Sequence, residues 1–140
     1  MKRSICYLLA CLALYIPCVS VCTAQEVDPY IGRWALTIPG GGAGWLGVTQ
    51  EKGYLDASLL WGGGSVLPVD SVYVDEGGLT VTRNSKVERK DASGNVVRTQ
   101  VFTETIIAKV SGDTLNLIQI QPRSDGKGVR RSEFTGKRIP

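Results

Sequence analysis

The chain has 140 residues, 16 Lys and Arg against 13 Asp and Glu, no histidine and four cysteines. All four cysteines, Cys6, Cys11, Cys18 and Cys22, stand near the front, so the remainder holds neither thiol nor imidazole. That excludes Cys/His zinc sites, thiolate nucleophiles and histidine-based triads there, and leaves any catalysis to carboxylates, Tyr, Lys or Ser.

Met1-Lys2-Arg3 precedes an apolar run from Ile5 to Val21, the layout of a secretory signal. Cleavage is expected after Ala24, where Cys22 and Ala24 are the small residues before the cut and Gln25-Glu26 opens polar sequence. A membrane anchor needs about 20 apolar residues, whereas this run is shorter and interrupted by Pro17. Lipid attachment at Leu8-Leu9-Ala10-Cys11 meets too short an apolar stretch. The expectation is therefore a signal peptide over 1–24 and an extracytoplasmic protein, periplasmic or secreted, with no membrane attachment after cleavage. Losing Lys2 and Arg3 lowers the net charge from +3 to about +1, which gives no basic stripe for nucleic acid. The cluster Lys127, Arg130, Arg131, Lys137 and Arg138 is interleaved with Asp125 and Glu133, and reads as a solvated strand face.

Residues 25–140 suit one domain with one core. Their apolar residues alternate as in strands. Gly32 to Ile38 sets Trp34, Leu36 and Ile38 on one face, and Pro39 ends it. Trp45–Gln50 and Tyr54–Trp61 form a pair turning at Lys52-Gly53, between the glycine breaks Gly40-Gly41-Gly42-Ala43-Gly44 and Gly62-Gly63-Gly64. A fourth strand, Val66–Asp75, contains Pro68, which marks an edge, a bulge or a late start. Leu79–Glu88, Val96–Val110, Thr114–Gln121 and Val129–Arg138 follow, separated by turns at 90–95, 111–113 and 124–128. Eight such strands predict an all-β fold, a small antiparallel up-and-down barrel, with a two-sheet sandwich as the alternative.

Gly32-Arg33-Trp34 on the first strand, in a meander ending near Arg138, resembles the Gly-x-Trp opening of lipocalin and avidin-like barrels. The resemblance implies that Trp34 plugs one barrel end under Arg138. The run Trp34 to Val48, the segment Leu59-Leu60-Trp61-Gly62-Gly63-Gly64-Ser65-Val66 and the ending Phe134 to Pro140 also look like a small domain at the front of secreted bacterial proteins. Those proteins carry a 3-keto-disaccharide hydrolase domain further along, so this resemblance implies a non-catalytic accessory barrel with a C-terminal hydrolase as partner.

Gly42-Ala43-Gly44-Trp45-Leu46-Gly47 has the Gly-x-Gly-x-x-Gly spelling of a dinucleotide loop, but a strand follows where a helix N-terminus is needed. No nucleotide, cofactor or metal is expected. The rings of Trp45, Tyr54, Trp61 and Tyr73, with Asp56 and Asp70 as hydrogen-bond acceptors, form the candidate site for a neutral saccharide; the alternative is that these rings fill the core. Asp56, Asp70, Glu104 and Glu133 are the carboxylates from which a glycoside hydrolase would draw its pair. Glu104 alternates with Phe102 and Ile106, so it would need a partner such as Arg83. Three readings follow: a binding or accessory barrel, a structural or interaction barrel, and a carboxylate hydrolase.

Overall fold

The structure, a computed structural model, describes residues 26–140; the expected leader lies outside the described residues. The described residues are all-β, apart from one 3-10 turn at Asp28–Tyr30. Nine antiparallel strands follow in chain order: β1 Gly32–Thr37, β2 Gly44–Gln50, β3 Leu55–Trp61, β4 Leu67–Pro68, β5 Ser71–Asp75, β6 Gly78–Lys90, β7 Val96–Ser111, β8 Thr114–Pro122 and β9 Val129–Ile139. They form one curled up-and-down sheet in the order β4-β3-β2-β1-β9-β8-β7-β6-β5.

The expected fourth strand is divided in two, and the cause is a change of partner. Leu67 and Pro68 pair with Leu59 and Ser58 of β3, whereas Ser71–Asp75 pairs with Gly78–Thr82 of β6. Between them, the Val69 N–H donates to Ala57 O at 3.1 Å, and the next N–H, that of Asp70, donates to Thr82 O at 2.9 Å. Two consecutive residues thus bond to opposite ends of the sheet, and the chain itself spans the seam.

Period-two alternation builds the core. Leu46 and Val48 of β2, Ala57 and Leu59 of β3, Leu79 and Val81 of β6, Ile106 and Ala108 of β7, and Leu115 and Leu117 of β8 all face inward and are buried. Burying such a set against one another is the dominant favourable term in folding. The pairing also defines two ends. The 3-10 turn, the start of β1 and the end of β9 lie together at one end, where Arg33 is opposite Ile139. The glycine loops lie at the other, where Gly44 is opposite Trp61 and the Gly62 N–H donates to Ala43 O at 2.8 Å.

Candidate functional site

The first end is closed by Trp34, which has no exposed surface. Its Nε1 donates to Tyr30 O at 3.0 Å. The Arg138 guanidinium lies over the ring, 4.2 Å from its centroid, and donates through Nη1 to Ile31 O at 2.8 Å and through Nη2 to Pro29 O at 2.6 Å. Gly32 is required for this closure. Its φ is +128°, and a Cβ there would stand 2.9 Å from Arg138 Nη1. One cation therefore ties the last strand to the segment before the first, while its flat face covers an indole.

On the outer surface, Trp45 and Gly47 project from the same face of β2, and the indole lies across Gly47 closely enough that any Cβ there would run into the ring. Across the ladders Gly47 is flanked by Arg33 of β1 and Ser58 of β3. Thr49, next on the face, is opposite Asp56. These groups line a hollow of about 380 Å³. Its floor is a half-exposed indole. Its rim carries the Asp56 carboxylate, of which Oδ1 accepts from the Ala57 N–H at 2.9 Å, together with the Ser58 and Thr49 hydroxyls and the exposed Arg33. A flat apolar face beside hydroxyls, a carboxylate and a guanidinium can stack on the C–H face of a sugar ring and bond its hydroxyls.

Inside, towards the glycine loops, Trp61 meets Phe134 edge to face, with centroids 4.9 Å apart and planes at 74°. Further along β7, Glu104 is buried and its charge is fully engaged: Oε2 accepts from Arg83 Nη2 at 2.7 Å, and Oε1 accepts from Gln119 Nε2 and from Gln121 Nε2, the latter at 3.1 Å. Arg83 is the partner that the strand pattern pointed to. The cluster opens onto a hollow of about 230 Å³ shared with Ser85, Phe102 and Ser124. Such engagement fixes a carboxylate in place, because an unpaired buried charge is costly.

The expected ligand residues do not converge on one site. Trp45 and Asp56 share the outer hollow. Trp61 faces the opposite side of the sheet and packs against the core. Tyr54 is exposed just before β3, away from the glycine loops. Asp70 sits at the seam, where Oδ2 accepts from the Asn84 N–H at 2.5 Å. Tyr73 is half exposed in β5, beside Thr80 and Ile107. The candidate hydrolytic acids are likewise dispersed: Glu104 faces inward, whereas Glu133 faces outward and is largely exposed. Among the described residues, no three His, Cys, Asp or Glu side chains gather as a metal site. Arg33, Gly47, Thr49 and Ser58, which the sequence reading did not single out, line the same hollow as Trp45 and Asp56. A signal for them exists in the Trp-x-Gly spacing of β2, which puts a bare backbone under an indole. Compared with known protein families, with curated proteins and with solved structures, the chain finds no match.

Proposed function

We propose that this chain is an exported, non-catalytic binding barrel whose ligand is a neutral saccharide, held on the outer face by Trp45 rather than near Trp61. The observation that carries the reading is the indole packed against the bare backbone of Gly47 beside Asp56, Ser58 and Arg33. The missing Cβ is what leaves room for the six-membered ring of Trp45 over Gly47. The likeness to barrels at the front of secreted 3-keto-disaccharide hydrolases fits this role, with the barrel holding sugar for a hydrolase domain. Leader-like residues 1–24 support export.

The test is titration of the protein with neutral oligosaccharides, followed by tryptophan fluorescence. Trp34 has no exposed surface and Trp61 packs inward, so a saturable change reports chiefly on Trp45. Trp45→Ala should abolish it, Gly47→Val should weaken it by lifting the ring, and Trp61→Phe should leave it. No response across the panel rejects the reading. Product formation abolished by changing a single acid would establish a hydrolase instead.

The structural or interaction barrel remains the second reading, favoured by one observation: the interior is filled. Trp34, Leu46, Leu59, Leu79, Leu115 and Leu117 are all almost fully buried, so the middle of the barrel holds side chains.

A further inference from the structure

The two longest strands outrun their neighbours. β6 and β7 keep one register from Leu79 opposite Ala108 out to Arg89 opposite Arg98, but β5 accompanies β6 only as far as Thr82, and β8 accompanies β7 only as far as Thr105. Beyond those points the hairpin is a two-stranded ribbon, and alternation assigns its pairs to faces. Arg83 and Glu104 face inward, and the next pair on that face, Ser85 and Phe102, lines the same hollow. Val87 with Gln100 and Arg89 with Arg98 continue it outward. Lys86 and Glu88 stand on the reverse face, joined at 2.9 Å.

Among the cross-strand pairs of this ladder, Arg89 with Arg98 alone sets like charges opposite, which destabilises a sheet. Both side chains are exposed. Among the described residues neither has an ion-pair partner, and residues 1–25 contain no Asp or Glu to supply one. Asp91, the acid of the hairpin tip, is engaged by the N–H groups of Ser93 and Asn95. The turn between β8 and β9 forms the facing wall. Its Pro122 and Ser124, with Gln121, share the hollow of about 230 Å³ with Arg83, Ser85 and Phe102. Pro122 and Ser124 also border a second hollow of about 300 Å³, flanked by Arg123 and Arg130. These two arginines are likewise exposed and without an ion pair among the described residues. The acid beside them, Asp125, accepts the Lys127 N–H at 2.8 Å and so caps its own turn.

We propose that the inner face of the ribbon and the β8–β9 turn together bind an acidic polysaccharide, with one carboxylate bridging Arg89 and Arg98 and another held by Arg123 and Arg130. Guanidinium forks match the planar geometry of carboxylates. An anion between Arg89 and Arg98 replaces their repulsion by two charge-assisted hydrogen bonds, which explains why like charges are kept opposite each other there. The hollow between ribbon and turn supplies what the sugar itself needs: the Ser85 and Ser124 hydroxyls, the Gln121 amide and the Phe102 ring. A nucleic acid would instead call for several rings on which successive bases stack, and Phe102 is the one ring lining this hollow. Arg83 is committed to Glu104 at 2.7 Å, so it shapes the floor and leaves the anions to the four arginines above. The site is separate from the Trp45 hollow, which lies on β1 to β3, and either can fail without the other.

Titration of the full chain into end-labelled oligogalacturonate, followed by fluorescence anisotropy, tests it, with far-UV spectra confirming that each variant folds. The methyl-esterified oligomer, an oligodeoxynucleotide and phosphatidylglycerol vesicles are run beside it. The carboxylate form should bind saturably and more weakly as salt is raised, and the uncharged ester should not bind. Arg98→Gln and Arg130→Gln should each weaken binding about tenfold. Lys86→Gln, on the reverse face of the ribbon, and Trp45→Ala should leave it nearly unchanged. Arg98→Glu separates a binding pair from a merely solvated one. Opposite Arg89 it turns repulsion into attraction, so amide hydrogen exchange at Val87 and Gln100 should slow while binding is lost. No binding at low salt, equal binding of the ester, or tighter binding of the oligonucleotide or the vesicles would overturn the proposal. So would an Arg98→Glu protein that binds undiminished, or whose ribbon exchanges no more slowly than the wild type.

Discussion

Replacing Trp34 by alanine tests the closure of the barrel. The side chain is wholly buried, and truncating a buried tryptophan costs about 3 to 5 kcal/mol through lost transfer energy and the cavity left behind. Two further losses place the cost in the upper part of that range. Tyr30 O loses its indole donor at 3.0 Å, and the Arg138 guanidinium loses the ring face 4.2 Å away. The second contact is worth about 0.5 to 2 kcal/mol, taken at the low end because the Arg138 side chain is 34% exposed. A small domain has only about 5 to 15 kcal/mol in total. With a urea slope near 2 kcal/mol per molar, the midpoint should fall by roughly 2 M. Urea unfolding of wild type, Trp34→Ala, Arg138→Ala and the double variant gives the coupling directly, expected at about 0.5 kcal/mol or more. An unchanged midpoint for Trp34→Ala, or strictly additive variants, would refute the argument that these residues close the end together.

Glu104→Ala strands the Arg83 cation and two glutamine amides. Breaking a buried pair costs about 3 to 5 kcal/mol, and the 26% exposure of Arg83 lets water recover part of it, so chemical denaturation should register about 2 to 3 kcal/mol. Asp91 at the tip of the β6–β7 hairpin is held below its ordinary value of 3.8, chiefly by the Asn95 N–H and also by that of Ser93, which Oδ1 accepts at 3.0 and 2.8 Å. A lowered carboxyl stabilises the folded tip above the ordinary value and loses that contribution as pH falls through the folded one. The Asn95 amide resonance should therefore titrate with a midpoint below 3.8, and a midpoint at or above it would exclude the cap.

The strands were legible because alternation in a half-buried sheet is a local property. Leu55, Ala57, Leu59 and Trp61 share a face by spacing alone, and they share it in the structure. Glu104 and Arg83 could be matched because each stands on the apolar face of its own strand. The seam was not legible. Val66–Asp75 reads as one strand, and nothing local says that Val69 bonds to β3 while Asp70 bonds to β6; that depends on how far the sheet curls before its ends meet. That the named rings lie on two faces was not legible for a related reason. Trp45 and Trp61 are equally aromatic and equally close to glycine, but pairing Gly44 with Trp61 sets Trp45 opposite Leu60, on the reverse face from Trp61.

The seam has a consequence for how the chain finds its fold. In the native order every ladder but one joins strands adjacent in sequence; the exception is β1 with β9, which brings Trp34 opposite Arg138. A chain recut between Val69 and Asp70, with the end of β9 joined to the 3-10 turn, would run β5, β6, β7, β8, β9, β1, β2, β3, β4, and all of its ladders would become hairpins. Distant pairings slow folding because loop closure precedes the contacts that reward it. Such a permuted protein should refold faster than the native one while closing its two edges less firmly. The native connectivity trades speed of assembly for a covalent clasp where the two sheet ends meet.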